Sequence, residues 1–123
     1  RPYCHLLDFS NLIFTVLQKN NEIVGYEVFN AGSDNNNYTK KMIADKILQY
    51  LPHGKVEFSS NGSDPRNYKV NFNKAKEILN FEAKYDLNYG IKELLSYLDT
   101  HNDTIKNNTS INYGNYKINF NYD

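Results

Sequence analysis

Four segments of the chain carry apolar residues three and four positions apart, the spacing of an amphipathic α-helix. Each segment begins at a residue whose side chain suits a helix N-cap. The predicted helices run from Asp8 to Lys19, from Thr39 to Pro52, from Asn73 to Asn80, and from Asp86 through Leu98. Asn80 is expected to end the third helix in a left-handed conformation. Gly90 lies inside the fourth, where it is expected to permit close packing.

Short segments between these helices are predicted to be strands, and the alternation of apolar and polar residues is clearest in the third and fourth. They are Pro2–Leu6, Tyr26–Asn30, Lys55–Ser59 and Tyr68–Phe72. Tyr116 to Tyr122 alternates as well and is expected to form an edge strand or an adhesive tail. The pattern predicts an α/β fragment of the α+β kind, a small mixed helix-and-strand domain over residues 1–102. Residues 103–123 are predicted to be a polar linker and a tyrosine-rich, strand-like tail.

Charge and composition exclude several classes of function. The 14 basic residues balance the 14 acidic ones, so nothing electrostatic favours a nucleic acid or an anionic membrane as partner. No apolar run is long enough to cross a bilayer. The single cysteine, Cys4, excludes an internal disulfide and fits a reducing compartment, which predicts a cytoplasmic protein. The chain begins at Arg1 inside a predicted strand, so we expect it to be part of a longer protein.

Motifs for catalysis are absent from the sequence. It contains no glycine-rich nucleotide fingerprint, no phosphate-binding loop with lysine, and no cysteine or histidine spacing typical of a metal site. We therefore predict no catalytic, cofactor-binding or metal-binding residue in this chain.

The two arginines are the strongest candidates for ligand binding. Arg1 and Arg66 are the only arginines among 14 basic residues. Arginine differs from lysine in its planar, bidentate grip on phosphate or carboxylate. Pro65 stiffens the turn between Asp64 and Arg66, so both charged side chains have set directions. Our hypothesis is that Arg1 and Arg66 converge on one anionic ligand; the alternative is that Arg66 pairs with Asp64 or lies on the surface.

Several short motifs occur in an order that resembles a known family. They are Arg-Pro-Tyr-Cys-His-Leu-Leu-Asp at 1–8, Phe-Asn-Ala-Gly at 29–32, Asp-Pro-Arg-Asn-Tyr at 64–68, Leu-Asn-Phe at 79–81 and Gly-Ile at 90–91. Together they resemble the carboxy-terminal, substrate-binding part of the extended short-chain dehydrogenase/reductases, the NAD-dependent nucleotide-sugar epimerases and dehydratases. The resemblance covers about residues 1–98. Asn80 stands where the family has glycine, and Asn61 is not the arginine that some epimerases place there.

The resemblance implies a binding role for four residues. Arg1 would contact the diphosphate of a nucleotide sugar, Asp64 the ribose and Arg66 the phosphates, and Tyr68 belongs to the same substrate-binding patch. NAD and the catalytic pair would belong to an amino-terminal Rossmann part that this chain lacks, so the chain alone would have no turnover.

The resemblance also implies partners. The strand Tyr26–Asn30 and the helix from Asp8 would pack against the Rossmann part and would expose apolar surface without it. A homodimer is a further implied partner. The competing hypothesis is a stand-alone interaction or regulatory module without ligand, which assembles through its edge-strand tail.

Overall fold

The computed structural model describes residues 1–57 and 68–101, and helices dominate this part of the chain. Of the described residues, 56% are helical and 2% are in strand. The five α-helices within the described residues are α1 (Leu6–Leu17), α2 (Asn21–Val24), α3 (Lys40–Tyr50), α4 (Asn73–Leu79) and α5 (Leu87–Thr100). A 3₁₀ turn, Asp34–Asn36, precedes α3.

The predicted mixed helix-and-strand fold is wrong for the described residues. They contain no sheet, and their strand content is one antiparallel bridge between Pro2 and Asn37. A strand requires a neighbour for its backbone hydrogen bonds, and within residues 1–57 and 68–101 the only such pairing is this bridge. At the start of the predicted strand 26–30, Tyr26 adopts φ 60°, which is incompatible with an extended chain. The tail predicted as an edge strand, residues 103–123, lies outside the described residues.

The single bridge ties the first residues of the chain to the segment before α3. The Arg1 backbone nitrogen donates to the Tyr38 carbonyl at 2.7 Å, and the Tyr38 N–H donates to the Arg1 carbonyl at 2.8 Å. The Tyr3 N–H donates to the Asn36 carbonyl at 2.9 Å. These bonds fix residues 1–3 against residues 36–38.

Local capping chemistry explains where most helices begin and end. As predicted, Thr39 caps α3 by accepting from the Met42 N–H at 3.1 Å, and Asp86 accepts from the Tyr89 N–H at 2.8 Å at the start of α5. Asn80 has φ 55° and ψ 38°, the predicted left-handed conformation.

Two predicted caps are wrong. The N-cap of α1 is His5, whose Nδ1 accepts from the Leu7 N–H at 3.2 Å, so Asp8 lies inside the first turn. Asn73 is the first residue of α4, and the Asn71 side chain accepts from its N–H at 2.9 Å. In both cases the helix begins earlier than its most favourable capping residue predicts.

The core of the compact unit Arg1–Ile91 lies where α1 and α4 meet. Leu12 from α1, Ala75 and Leu79 from α4, and Phe81 form its buried cluster. Phe81 reaches this cluster because the left-handed Asn80 turns the chain back on the helix end. The partly buried residues packed around the cluster are Val16, Val24, Phe29, Ala31 and Ala83. A second unit begins at Lys92, and its described residues are 92–101.

Candidate functional site

Asp8 is the most deeply buried charged residue in the described part of the chain. Its side chain is 1% exposed. Oδ1 accepts from the Lys84 N–H at 2.9 Å, and Oδ2 accepts from the Tyr85 N–H at 3.0 Å. A carboxylate that accepts two backbone hydrogen bonds keeps both donors satisfied where water is excluded. Asp8 therefore connects α1 to the segment before α5 and acts in structure rather than chemistry.

Asn36 secures the same segment from its other side. This residue is buried, and its Nδ2 donates to the Tyr85 carbonyl at 3.0 Å. Both backbone groups of Tyr85 are thus held by side chains, the N–H by Asp8 and the carbonyl by Asn36. Although Asn36 lies in the wholly polar run of residues 34–37, it is part of the interior.

Asn37 joins two segments that the sequence analysis singles out, the one that begins at Arg1 and the one that follows Tyr68. Its backbone forms the bridge with Pro2. Its side-chain Oδ1 accepts from the Val70 N–H, and its Nδ2 donates to the Val70 carbonyl, each at 3.2 Å. The amide occupies the position that a neighbouring strand would otherwise take beside Val70.

The structure describes two of the four predicted binding residues. Arg1 is half-buried, and Tyr68 is exposed over 51% of its surface. Asp64 and Arg66 lie outside the described residues, so the convergence of the two arginines stays a prediction. What the structure establishes is that the segments of Arg1 and Tyr68 are both held at Asn37.

Two ionisable groups near this junction, Tyr38 and Cys4, have raised pKa values. Burial, and then the charge of Asp86, raise the pKa of Tyr38 above its usual value of 10.0. Burial and then the Asp8 carboxylate likewise raise the pKa of the Cys4 thiol, although its side chain is exposed. Both groups are thereby held in their neutral forms. Among the described residues, no three His, Cys, Asp or Glu side chains are grouped to hold a metal ion.

Three rings contact one another at the start of α1, in tilted and edge-on arrangements, and help to fix it. The His5 ring lies 4.9 Å from the Tyr85 ring and 5.4 Å from the Tyr89 ring, centroid to centroid, and the two tyrosines lie 4.6 Å apart. Such contacts contribute about 0.5–1.5 kcal/mol per pair beyond burial. His5 therefore has a structural role, since its Nδ1 also caps the helix.

A surface depression of about 390 Å³ lies elsewhere, between the 3₁₀ turn and α4. An ion pair between Lys76 and Glu82, at 2.6 Å, crosses its wall. Arg1 and Tyr68, the two predicted binding residues that the structure describes, do not line it, and Lys76 and Glu82 already neutralise each other. We therefore do not assign the candidate site to this depression. The residues that line it are Gly32, Ser33, Asp34, Asn35, Phe72, Asn73, Lys76, Phe81, Glu82 and Ala83.

Helix α1 leaves its outward face uncovered within the described structure. The inward face consists of residues four apart, Asp8, Leu12 and Val16. Leu6 and Leu17, at the two ends of the opposite face, are exposed over 72% and 77% of their surfaces. Other apolar residues of that face that remain largely exposed are Phe9, Ile13 and Phe14. Since Asp8 is the only charged residue of α1 and points inward, the exposed face carries no charge.

The segment after α2 has one side turned to the rest of the molecule and apolar residues exposed on the other. Phe29 packs towards the core, and Glu27 pairs with Lys74 of α4. Tyr26 and Val28, at alternate positions, are exposed. Like α1, this segment therefore presents exposed apolar surface that suits contact with another protein domain.

A comparison with protein families, with curated proteins and with solved structures found no match to this chain. Within residues 1–57 and 68–101, none of the helices combines the length and the apolar character required to span a membrane.

Proposed function

We propose that this chain is the nucleotide-sugar-binding part of a cytoplasmic, NAD-dependent sugar epimerase or dehydratase. In this proposal Arg1 and Arg66 bind the diphosphate, Asp64 accepts a hydrogen bond from the ribose, and Tyr68 completes the patch. An amino-terminal dinucleotide-binding part holds NAD, which supplies hydride transfer at a sugar carbon when it is bound. The residues of this chain orient the substrate through charge-assisted hydrogen bonds.

The observation that carries the proposal is the exposed apolar surface formed by the uncharged outward face of α1 and by Tyr26 and Val28. Large exposed apolar patches mark interaction sites on soluble proteins. Leu6 and Leu17 of α1 and Val28 of the other segment each expose more than two-thirds of their surface. These are the two elements that, by the resemblance, pack against the dinucleotide-binding part. Their exposure agrees with a chain that binds substrate together with another domain.

A second observation concerns the binding residues themselves. The motif that begins at Arg1 and the segment that follows Tyr68 are remote in sequence, yet both reach Asn37. Binding a diphosphate requires cationic and polar groups to be brought together from separate segments, and this junction supports such an arrangement.

The alternative is a stand-alone interaction module, and the outward face of α1 also favours this function. Its occupant would then be a second copy or another protein rather than a dinucleotide-binding domain. Removal of residues 103–123 tests the hypothesis of assembly through the tail, and the oligomeric state is measured by light scattering. A change in assembly would favour the module.

The proposed function is tested by nucleoside diphosphate sugars titrated calorimetrically into the complete gene product. We expect Arg66→Ala to weaken binding by more than roughly tenfold, because it removes charge-assisted bonds to phosphate. The control is Lys69→Ala, which removes an exposed positive charge three positions away. Equal affinity for wild type and Arg66→Ala would contradict the assignment.

A further inference from the structure

The side chain of Asn37 makes an unusual set of hydrogen bonds for a loop residue. Its two polar atoms satisfy both backbone groups of Val70, at 3.2 Å each, and Nδ2 also donates to the Asp34 carbonyl at 3.1 Å. A reversed amide would oppose its NH₂ group to the Val70 N–H and its oxygen to two carbonyls. The pattern therefore requires an amide, with a donor and an acceptor in this orientation.

The backbone of Asn37 is engaged at the same time. Asn37 is extended, with φ −87° and ψ 104°, and forms the bridge to Pro2. The neighbouring pair, Tyr38 and Arg1, exchanges two backbone hydrogen bonds at 2.7 and 2.8 Å. The main chains of its two neighbours, Asn36 and Tyr38, thus hold the Arg1 segment opposite Asn37. The Asn37 side chain holds Val70, which lies two positions after Tyr68.

We propose that Asn37 is a positioning residue, which sets the separation of the Arg1 and Tyr68 segments for a nucleoside diphosphate group. This inference rests on the proposed function and extends it to a residue that does not contact the ligand. Hydrogen bonds of this kind restrict the segments before the ligand arrives, and less ordering is then required on binding.

Asn36 provides a matched control, because it is adjacent and equally committed to backbone contacts. Its side chain bonds Tyr85 rather than Val70. Loss of Asn36 should therefore lower stability without changing how Arg1 is placed relative to Tyr68. The test variant is Asn37→Asp, nearly the same shape, whose carboxylate can accept from Val70 but cannot donate to its carbonyl.

The experiment measures the affinity of the complete gene product for UDP, dTDP, GDP, CDP and ADP by calorimetry. A double-mutant cycle combines Asn37→Asp with Arg1→Ala. We expect each single change to weaken binding of the preferred diphosphate by roughly tenfold. The double variant should weaken binding by much less than the roughly hundredfold expected of two independent changes. With Asn36→Ala in place of Asn37→Asp, the penalty of Arg1→Ala should stay unchanged.

The outcomes separate this inference from the proposed function. If the Arg1→Ala and Asn37→Asp penalties multiply in full, Asn37 is only structural and the inference is overturned, although the binding site stands. If no diphosphate binds, or Arg1→Ala leaves affinity unchanged, the proposed function fails and the inference with it. Should Asn37→Asp fail to fold by circular dichroism, Asn37→Ser replaces it in the same cycle, with the same expected and contrary results.

Discussion

Replacement of Asp8 by alanine should be among the most destabilising single changes in the described part of the chain. The carboxylate accepts from Lys84 and Tyr85 at 2.9 and 3.0 Å and is 1% exposed. Asp8→Ala removes two charge-assisted bonds and leaves two backbone N–H groups without these partners. Each orphaned buried group costs about 1–3 kcal/mol, so the expected loss is about 3–5 kcal/mol.

This loss is large compared with the stability of a small domain. A chain of this size has a free energy of unfolding of about 5–15 kcal/mol, so Asp8→Ala removes a major fraction. At about 4 °C or more per kcal/mol, the midpoint of thermal unfolding should fall by at least about 12 °C. The midpoint of Asp8→Asn should lie between those of wild type and Asp8→Ala, because the amide oxygen can accept one hydrogen bond while the NH₂ group opposes the other donor.

The assay is urea unfolding of the 123-residue chain, followed by circular dichroism. The matched control is Asp45→Asn, which loses an exposed pair with Lys41 at 2.9 Å. Such pairs contribute about 0.5 kcal/mol or less, so the control should unfold near wild type. An Asp8→Ala chain that unfolds within about 1 kcal/mol of wild type would refute the structural role of this carboxylate.

Three further changes test the fold and its exposed surface. Gly90→Ala should raise the free energy of unfolding by about 0.5–1 kcal/mol, because alanine loses less backbone entropy than glycine when a helix forms. The new Cβ would lie 3.6 Å from His5 Cδ2, an ordinary contact, so it fits. Urea unfolding measures the change, and a loss of stability would contradict the prediction. The pKa of Asp86 lies below its usual 3.8, first because its carboxylate accepts a hydrogen bond from the Tyr89 N–H. The ionised carboxylate therefore stabilises the fold above pH 3.8, and this stabilisation is lost as the pH falls through the lower pKa of the folded state. Wild type should therefore lose more stability than Asp86→Asn between about pH 5 and about pH 2, and parallel losses in acid titrations would contradict this. Leu17→Lys should leave thermal unfolding within about 1 kcal/mol of wild type and should reduce self-association of the isolated chain, measured by light scattering; a marked loss of stability would show that this side of α1 is covered.

The helix ends that could be predicted depend on local chemistry. Thr39, Asp86 and Asn80 satisfy backbone groups within four residues of themselves or relieve a strained turn, so the sequence around them carries the information. The prediction from local chemistry fails at Asp8. Aspartate is a residue type that favours the N-cap, but this side chain accepts hydrogen bonds from residues 76 and 77 positions away. The hydrogen bonds to the distant backbone N–H groups outweigh the preference of aspartate for the N-cap position.

The strands could not be predicted from alternation alone. Alternation shows that a segment has two different faces, but a strand also requires a neighbour at hydrogen-bonding distance. At Val70 the partner is the side chain of Asn37, and at Asn71 it is the side chain of Asn30, whose Nδ2 donates to the carbonyl at 3.1 Å. Side chains thus replace a sheet, and no periodic pattern indicates this.

The candidate site is predictable only in part for a similar reason. The rarity of arginine draws attention to Arg1 and Arg66, and the ordered motifs connect Arg1 with Tyr68. Asn36 and Asn37 carry no comparable signal, because asparagine is abundant throughout this sequence. Their importance becomes visible only when Tyr85 and Val70 are brought beside them.

The most direct test of the central claim is a single-turnover experiment with the complete gene product, NAD and a panel of nucleotide sugars. We expect at least one nucleotide sugar to be epimerised or dehydrated, with transient absorbance from NADH while the sugar carbon is oxidised. Recovery of every nucleotide sugar unchanged, with no NADH formed, would contradict it.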